Sequence, residues 1–234
     1  MIDRHCLVLL PGIDGSSKLF EPLRHCLGDR FEIVVVDYPD LENFAAYVDH
    51  AESFLPRDRP FSLIAESFSG PVAIALMAAG RWPVTSAVLS ATFARSPRPL
   101  WSRLSLLMPP AVFGIEPLQR IGLELYGLNG GDYPEAKRLA LDLMTRFDPA
   151  AFRRRALLLR DIDVSELLAG IELPVLCLRA SRDRVVPSKH AELLLSTLPD
   201  ARGEVVDAPH LLLQCEPQIC ADLVVRHIRT TAWR

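Results

Sequence analysis

The stretch from residue 61 to residue 77 constrains the fold of this chain more than any other. It opens with a short apolar run, FSLIA, passes through ESFSG, and continues into a longer apolar run, PVAIALM. The first run has the length of a buried strand and the second that of a helix, so the pattern predicts a strand, a very tight turn and a helix. Ser67 stands at the apex of the turn, with the small residues Ala65 and Ser69 on either side. Small residues favour such a turn because the backbones of strand and helix approach each other closely there.

A turn centred on Ser69 is the alternative arrangement. That frame would put Pro71 at the position of the second small residue, inside the first helical turn. The frame centred on Ser67 puts Ser69 at that position instead and leaves it a role in close packing. We therefore expect Ser67 at the apex, with its backbone held in a strained conformation.

The rest of the chain repeats the same strand-then-helix pattern. Together with residues 61–65, apolar runs predict strands at residues 6–10, 31–36, 84–89, 173–178 and 203–206. Helical patterns are expected at residues 18–26, 41–55, 71–77, 187–198 and 215–228. Alternating strands and helices indicate a parallel sheet with right-handed crossovers. The predicted fold class is α/β, with a mostly parallel six-stranded sheet and helices on both of its faces.

Residues 95–170 have a different character. Prolines interrupt short helical stretches, and no convincing strand pattern is present. A segment of this length is not expected to be a structureless loop in a compact domain. We therefore predict a helical cap at residues 95–170, inserted into a core formed by residues 1–94 and 171–234. The cap should lie over the carboxyl ends of the strands.

A serine hydroxyl needs a base to accept its proton, and the base needs a third group to orient it. Among the six histidines, His210 is distinguished by lying in a loop directly after the last predicted strand. Because reactive loops of an open α/β sheet follow the carboxyl ends of its strands, His210 should lie at the same edge as Ser67. His5 precedes the first strand, at the opposite edge. The other histidines fall in predicted helices: His25, His50, His190 and His227.

The acidic partner is expected from another loop at this edge. Asp183 lies in the loop after the fifth predicted strand, whereas no carboxylate follows the fourth. Asp207 is a rival, but it stands only three residues before His210, on the short final strand. Asp161 and Asp163 belong to the predicted cap and are weaker candidates. Asp183 is therefore the predicted acid.

The chain order Ser67, Asp183, His210 resembles that of the α/β-hydrolase superfamily, in particular small serine carboxylesterases with a helical cap. The resemblance implies an oxyanion hole formed by the backbone N–H groups of Phe68 and of Ile13, which follows the first strand; the N–H of Asp14 is a substitute for the latter. The usual first antiparallel strands of that family have no room before the first predicted strand. A sheet lacking those first strands is therefore expected.

The resemblance also implies a reaction. We expect cleavage of a carboxylic ester or related acyl bond through an acyl-enzyme, with no metal and no organic cofactor. Asp14, Thr92 and Trp101 are predicted to contact the substrate. Two alternatives remain open at this point: a thioesterase or acyltransferase acting on carrier-bound acyl chains, and a non-catalytic ligand receptor on the same scaffold.

Charge and composition limit the partners. A net charge of −3 argues against a dedicated nucleic-acid binder. Residues 137–160, within the predicted cap, carry seven basic and two acidic side chains. This excess is either a solvated helix face or a docking surface for an acidic carrier protein or carboxylate-bearing substrate. No apolar run is long enough to span a membrane, and the N-terminus lacks the pattern of a signal peptide, so a cytoplasmic location is expected. The pattern leaves the oligomeric state open.

Overall fold

A computed structural model describes residues 4–97, 109–144 and 148–231. Its centre is one six-stranded sheet in which every neighbouring pair of strands is parallel. The strands are β1 (Cys6–Leu10), β2 (Glu32–Val35), β3 (Phe61–Glu66), β4 (Val84–Ser90), β5 (Val175–Ala180) and β6 (Ala201–Val206). The fold class predicted from the sequence is confirmed, and each predicted strand is present with its ends moved by no more than two residues.

The α-helices of the described ranges lie on both faces of this sheet and in the stretch between β4 and β5. They are α1 (Glu21–Leu27), α2 (Phe44–Glu52), α3 (Gly70–Ala78), α4 (Pro110–Phe113), α5 (Glu116–Gly122), α6 (Pro134–Met144), α7 (Pro149–Leu158), α8 (Lys189–Thr197), α9 (Leu212–Cys215) and α10 (Pro217–Thr231). The final helix predicted at residues 215–228 is present as α10, with its ends moved by two and three residues, and a break at Glu216 separates it from the short helix α9. Pro217 explains the break, because it has no N–H to donate to the preceding turn and is well suited to begin a new helix.

Two apolar cores cover the two faces of the sheet. Alternate residues of β1 point to opposite faces, so Val8 and Leu10 pack in one core and Leu7 and Leu9 in the other. Helices α2, α3 and α8 contribute to the first core, and α1 and α10 contribute to the second. Central strands β1 and β3 are buried along their whole length, which explains their nearly continuous apolar sequences.

The order of the strands in the sheet is β2-β1-β3-β4-β5-β6. The chain therefore proceeds towards one edge from β1 to β2 and towards the other from β3 onwards. Between β1 and β3 the order reverses, and ligands of open α/β sheets bind in the crevice that such a reversal leaves at the carboxyl ends. The loop that follows β1 and the turn that contains Ser67 meet at this crevice.

Helices α4 to α7 lie in the stretch between β4 and β5, which we call the helical insertion (residues 95–170). Its described residues include no β-strand, and a single antiparallel bridge joins Arg95 near its start to Asp163 near its end. The helical character predicted for this stretch is therefore seen in its described part. The division into a core and a separate cap stays a prediction. Within the described ranges, every helix is too short or too polar to cross a membrane.

Candidate active site

The turn after β3 has the geometry that the sequence predicted. Ser67 has a positive φ of 48°, which is a strained conformation for a residue with a side chain. The chain then passes through one 3-10 turn, Ser67–Ser69, directly into α3. Ser69 is fully buried; its hydroxyl donates to the carbonyl of Pro11, and its Oγ lies 3.1 Å from the Tyr38 hydroxyl. Ser67, not Ser69, is thus the residue at the apex.

Three side chains from three different loops form one line of hydrogen bonds. His210, which follows β6, has its Nε2 atom 3.0 Å from Ser67 Oγ. Its other ring nitrogen, Nδ1, lies 2.8 Å from Oδ2 of Asp183, which follows β5. Oδ1 of the same carboxylate accepts the backbone N–H groups of Val185 at 2.7 Å and Val186 at 2.9 Å. Both oxygens of Asp183 are therefore held, and the imidazole is fixed between the carboxylate and the serine.

The rival carboxylate points elsewhere. Asp207 bonds to the Ser181 hydroxyl at 2.7 Å and to Arg182 Nε at 3.1 Å, and its side chain is 86% exposed. By contrast, the side chain of Asp183 is only 5% exposed in its pair with His210. A buried pair is screened far less by solvent than an exposed one, so Asp183 is the carboxylate that acts on the imidazole.

This environment sets the charge of the histidine. Burial by itself lowers the pKa of His210, but the charge and the hydrogen bond of Asp183 raise it. The pKa of His210 therefore lies above its ordinary value of 6.5. The imidazole remains neutral only above that raised pKa, and only the neutral ring can accept a proton at Nε2.

The loop after β1 turns tightly beside Ser67. The N–H of Gly15 donates to the carbonyl of Gly12 at 3.0 Å, which fixes the peptide that carries the N–H of Ile13. Phe68 follows the serine, and its ring packs edge-on against Tyr47 at a centroid distance of 5.1 Å. The two predicted oxyanion donors thus belong to segments that flank Ser67, and their role stays a prediction.

A cavity of about 570 Å³ lies beside Ser67 and His210. One part of its wall is the loop after β1, including Ile13 and Asp14. The helical insertion supplies mainly apolar side chains: Leu123, Ala140, Leu143, Met144, Ala151 and Phe152. The serine and the histidine therefore line the same cavity as these apolar side chains.

Two other residues, Thr92 and Trp101, were predicted to contact the substrate. Thr92 does not line this cavity; it is buried behind the elbow, where its hydroxyl donates to the carbonyl of Ser67. This position supports the strained turn and gives no contact with a substrate in the cavity. The predicted contact from Trp101 lies outside the described residues.

Two carboxyl groups with raised pKa values also line the cavity. Burial raises the pKa of Asp14 to about 6, against the hydrogen bond that Ser16 N–H donates to Asp14. Burial and then the charge of Asp14 raise the pKa of Glu66 to about 7. Gln214 Nε2 opposes this shift by donating to the two Glu66 oxygens at 3.1 and 3.3 Å. The strand pattern of the sequence does not indicate that Glu66 lies in the cavity wall.

Part of the basic excess of residues 137–160 is balanced inside the chain. Three of its seven cations form ion pairs: Lys137 with Glu124, Arg154 with Asp40, and Arg160 with Asp161. A fourth, Arg155, is buried at 5% exposure. In the sequence, Arg155 is one member of a charged helix face. Only the packing of α7 against the loop after β1 distinguishes it from the other basic residues.

Two further observations on the described ranges concern possible metal ligands and a buried thiol. There, no three His, Cys, Asp or Glu side chains form a group that could hold a metal ion. Cys177 is buried in β5, and this burial raises the pKa of its thiol to about 12. That thiol therefore stays protonated at neutral pH and is inert.

Three features together define the class to which this chain belongs. They are the parallel sheet, the strained turn at the serine, and the hydrogen bonds that join the serine, the histidine and the aspartate. Residues 7–223 match the sequence profile of the alpha/beta hydrolase family. The chain is therefore a member of the alpha/beta hydrolase family. A search of curated proteins finds no match to it.

Solved structures of the same fold are numerous but distant in sequence. An enol-lactonase from Burkholderia xenovorans LB400 is 17% identical with a TM-score of 0.82, over 97% of this chain and 92% of that one. A hydrolase from Pseudomonas aeruginosa PA01 is 19% identical with a TM-score of 0.82, over 97% and 91%. An esterase from Exiguobacterium antarcticum is 16% identical with a TM-score of 0.81, over 96% and 92%. At these identities the likeness concerns the fold alone.

Proposed function

We propose that this protein is a serine hydrolase that cleaves carboxylic esters through an acyl-enzyme. The observation that carries the proposal is the continuous line of hydrogen bonds from Ser67 Oγ through His210 to Asp183, at the wall of the cavity. A lone serine at a strand–helix turn would be ordinary, but a serine with an oriented base is an activated nucleophile.

Each group has a defined task in this mechanism. The N–H at Nδ1 of His210 donates to Asp183, which leaves the lone pair at Nε2 to accept the proton of Ser67. Ser67 Oγ then bonds to the ester carbonyl carbon, and the carbonyl oxygen becomes an oxyanion that Ile13 N–H and Phe68 N–H stabilise. The bond to the alcohol oxygen breaks as His210 returns the proton to it.

Deacylation repeats these steps with water. His210 takes a proton from a water molecule, whose oxygen attacks the acyl carbon bonded to Ser67 Oγ. The tetrahedral intermediate collapses, the acid is released, and the proton returns to the serine. The overall change is one ester and one water converted into one acid and one alcohol, so no metal or redox partner is required.

The cavity supports an apolar acyl group. Its wall on the insertion side is built from leucine, methionine, alanine and phenylalanine side chains. Burial of each methylene of a substrate against such a wall contributes roughly 0.8 kcal/mol. The structurally similar Exiguobacterium protein is an esterase, which agrees with an ester as the substrate class. We therefore favour neutral esters of short to medium length.

Carrier-bound acyl chains are less well supported. That alternative depended on a basic docking surface, and at least three of the seven cations involved are engaged by acidic residues of this chain. The receptor alternative would not need an oriented base beside the serine. Neither alternative is favoured by a specific contact among the described residues.

The decisive experiment is a panel of nitrophenyl esters of increasing acyl length, hydrolysed by the wild type and by Ser67→Ala. We expect Ser67→Ala to lose at least about 10³-fold in kcat/KM. Ser69→Ala removes a hydroxyl from the same turn and is the matched control; a serine-directed phosphonate should still label Ser67 in it. Equal turnover by wild type and Ser67→Ala would refute the proposal.

A further inference from the structure

Arg155 connects the helical insertion to the loops beside the nucleophile. It lies on α7 and is 5% exposed, and its hydrogen-bond acceptors among the described residues are one hydroxyl and four backbone carbonyls, with no carboxylate. Burial of a charged group is costly unless hydrogen bonds compensate for it. The contacts of this guanidinium therefore need an explanation.

Every donor of the guanidinium meets an oxygen. An arginine side chain has five N–H donors in a rigid plane. Here they are used in five hydrogen bonds: Nε to Tyr47 Oη at 3.1 Å, Nη1 to Ile13 O at 3.1 Å and Asp14 O at 2.9 Å, and Nη2 to Tyr38 O at 2.9 Å and Pro39 O at 3.2 Å. One side chain thus joins α2, the loop after β1 and the loop after β2.

Two of these bonds act on the segment that carries the proposed oxyanion donor. The carbonyl before Ile13, that of Gly12, is fixed by the N–H of Gly15 at 3.0 Å. Arg155 fixes the next carbonyl, that of Ile13 itself. Because the peptide planes on both sides of the Ile13 Cα atom are held, the direction of the Ile13 N–H is determined as well. A peptide that could rotate would aim this donor poorly.

Gly15 shows how closely the guanidinium approaches the loop. A Cβ atom at Gly15 would lie 2.7 Å from Arg155 Cζ, and the residue has a φ of +74°. Glycine therefore leaves room for the planar guanidinium directly against the backbone. Gly15 also accepts the N–H of Tyr38 at 2.8 Å, so the loops after β1 and β2 are joined with Arg155 between them.

We propose that Arg155 is a positioning residue: it aligns the oxyanion hole by holding the loop that carries the Ile13 N–H, and so makes that hole depend on the position of the helical insertion. This inference rests on the proposed function, because an oxyanion hole has meaning only if Ser67 attacks a carbonyl. Arg155 itself does not touch the reacting atoms. Its effect is exerted through backbone geometry.

The first test compares Arg155→Lys and Arg155→Gln with Arg154→Ala. Lysine keeps the charge but has three donors on one nitrogen, so it cannot hold two loops in one plane. We expect both Arg155 variants to lose about 10- to 100-fold in kcat, with KM changed less than about threefold. Arg154 is the matched control, since it is exposed and its ion pair among the described residues is with Asp40, at 2.9 Å; its variant should keep wild-type kcat.

A second measurement separates alignment from loss of stability. A trifluoromethyl ketone adds Ser67 Oγ to its carbonyl carbon and becomes an alkoxide in the oxyanion hole, while His210 keeps the serine proton. The secondary alcohol with the same carbon skeleton occupies the cavity but forms no adduct. In the Arg155 variants, the ketone should lose affinity by the same factor as kcat/KM, and the alcohol by less than about twofold. Both affinities are measured on folded protein.

The possible outcomes are distinct. If the ketone-to-alcohol affinity ratio of Arg155→Lys equals that of the wild type, Arg155 only stabilises the fold and the inference is wrong. If Arg154→Ala loses as much kcat as Arg155→Lys, the effect belongs to the charge of α7 and the inference is wrong too. If Ser67→Ala retains full turnover, the proposed function itself fails. Loss with Ser67→Ala and none with Arg155→Lys refutes the inference alone.

Discussion

Thr92 fills the space in which a Cβ atom of Gly70 would lie. That atom would overlap the Thr92 side chain, whose hydroxyl also donates to the carbonyl of Ser67. Gly70 is the first residue of α3, and Thr92 follows β4, so the contact binds the elbow to the neighbouring strand. The strained serine is thus supported from behind by one threonine that only a glycine can accommodate.

We expect Gly70→Ala to destabilise the protein. The added methyl group must displace Thr92 or the start of α3, and overpacking of a filled core costs about 1–3 kcal/mol in the free energy of unfolding. Gly170→Ala is the control, because nothing lies within 4 Å of the Cβ position there. Urea unfolding of the two variants measures the difference. A Gly70→Ala protein as stable as the wild type would contradict the packing described here.

Replacement of Asp183 by asparagine should distinguish its role from that of Asp207, the other carboxylate near His210. An amide can donate to Nδ1 and so favour the wrong tautomer of the imidazole, and we expect kcat to fall by about 10³- to 10⁴-fold. Asp207→Asn is the matched control, since its side chain is 86% exposed and faces Arg182. Its kcat should stay within about threefold of the wild type. The assignment fails if the two variants have the opposite order of activity.

The activity should require a deprotonated His210. Because the pKa of His210 is raised above 6.5, kcat/KM should fall as the pH decreases through an apparent pKa above that value. The Glu66 carboxylate also raises the pKa of His210, so Glu66→Gln should move the acid limb to lower pH. A pH–rate profile of kcat/KM with a neutral ester measures both limbs. An acid limb that moves to higher pH in Glu66→Gln would be the contrary result.

Glu66 should also make stability depend on pH. Its folded pKa of about 7 exceeds the ordinary 4.5, so between these values the native state holds a proton that the unfolded state has lost. The free energy of unfolding therefore decreases as the pH rises through this window, by about 3 kcal/mol from this group. Glu66→Gln lacks the proton and should lose this slope. Urea unfolding at several pH values measures it, and an unchanged slope would exclude the buried carboxyl as its source.

The sequence predicted the sheet and the frame of the elbow because both depend on local patterns. Apolar runs of strand length mark each strand, and a tight turn between strand and helix needs small residues around Ser67. Asp183 and His210 could be chosen from their places after strands, since the carboxyl ends of parallel strands share one edge. The distances of 2.8 and 3.0 Å in the structure are in keeping with that choice.

The helical insertion was predicted only in outline. Its prolines indicated short helices, but their packing depends on contacts with residues far away in the chain. The short helix α9, before Pro217, was not predicted, because four residues are too few to show a helical period.

The sequence by itself determined the order of the chemistry: a serine at a strained turn, then an acid and a base in later loops at the same sheet edge. The tertiary structure alone decided what surrounds them. Arg155 follows Ile13 by 142 residues, and nothing local distinguishes it from its exposed neighbour Arg154. Burial and hydrogen-bond partners depend on the tertiary structure. Only the packing of α7 therefore places one arginine of a charged run where it hydrogen-bonds to the loop beside Ser67.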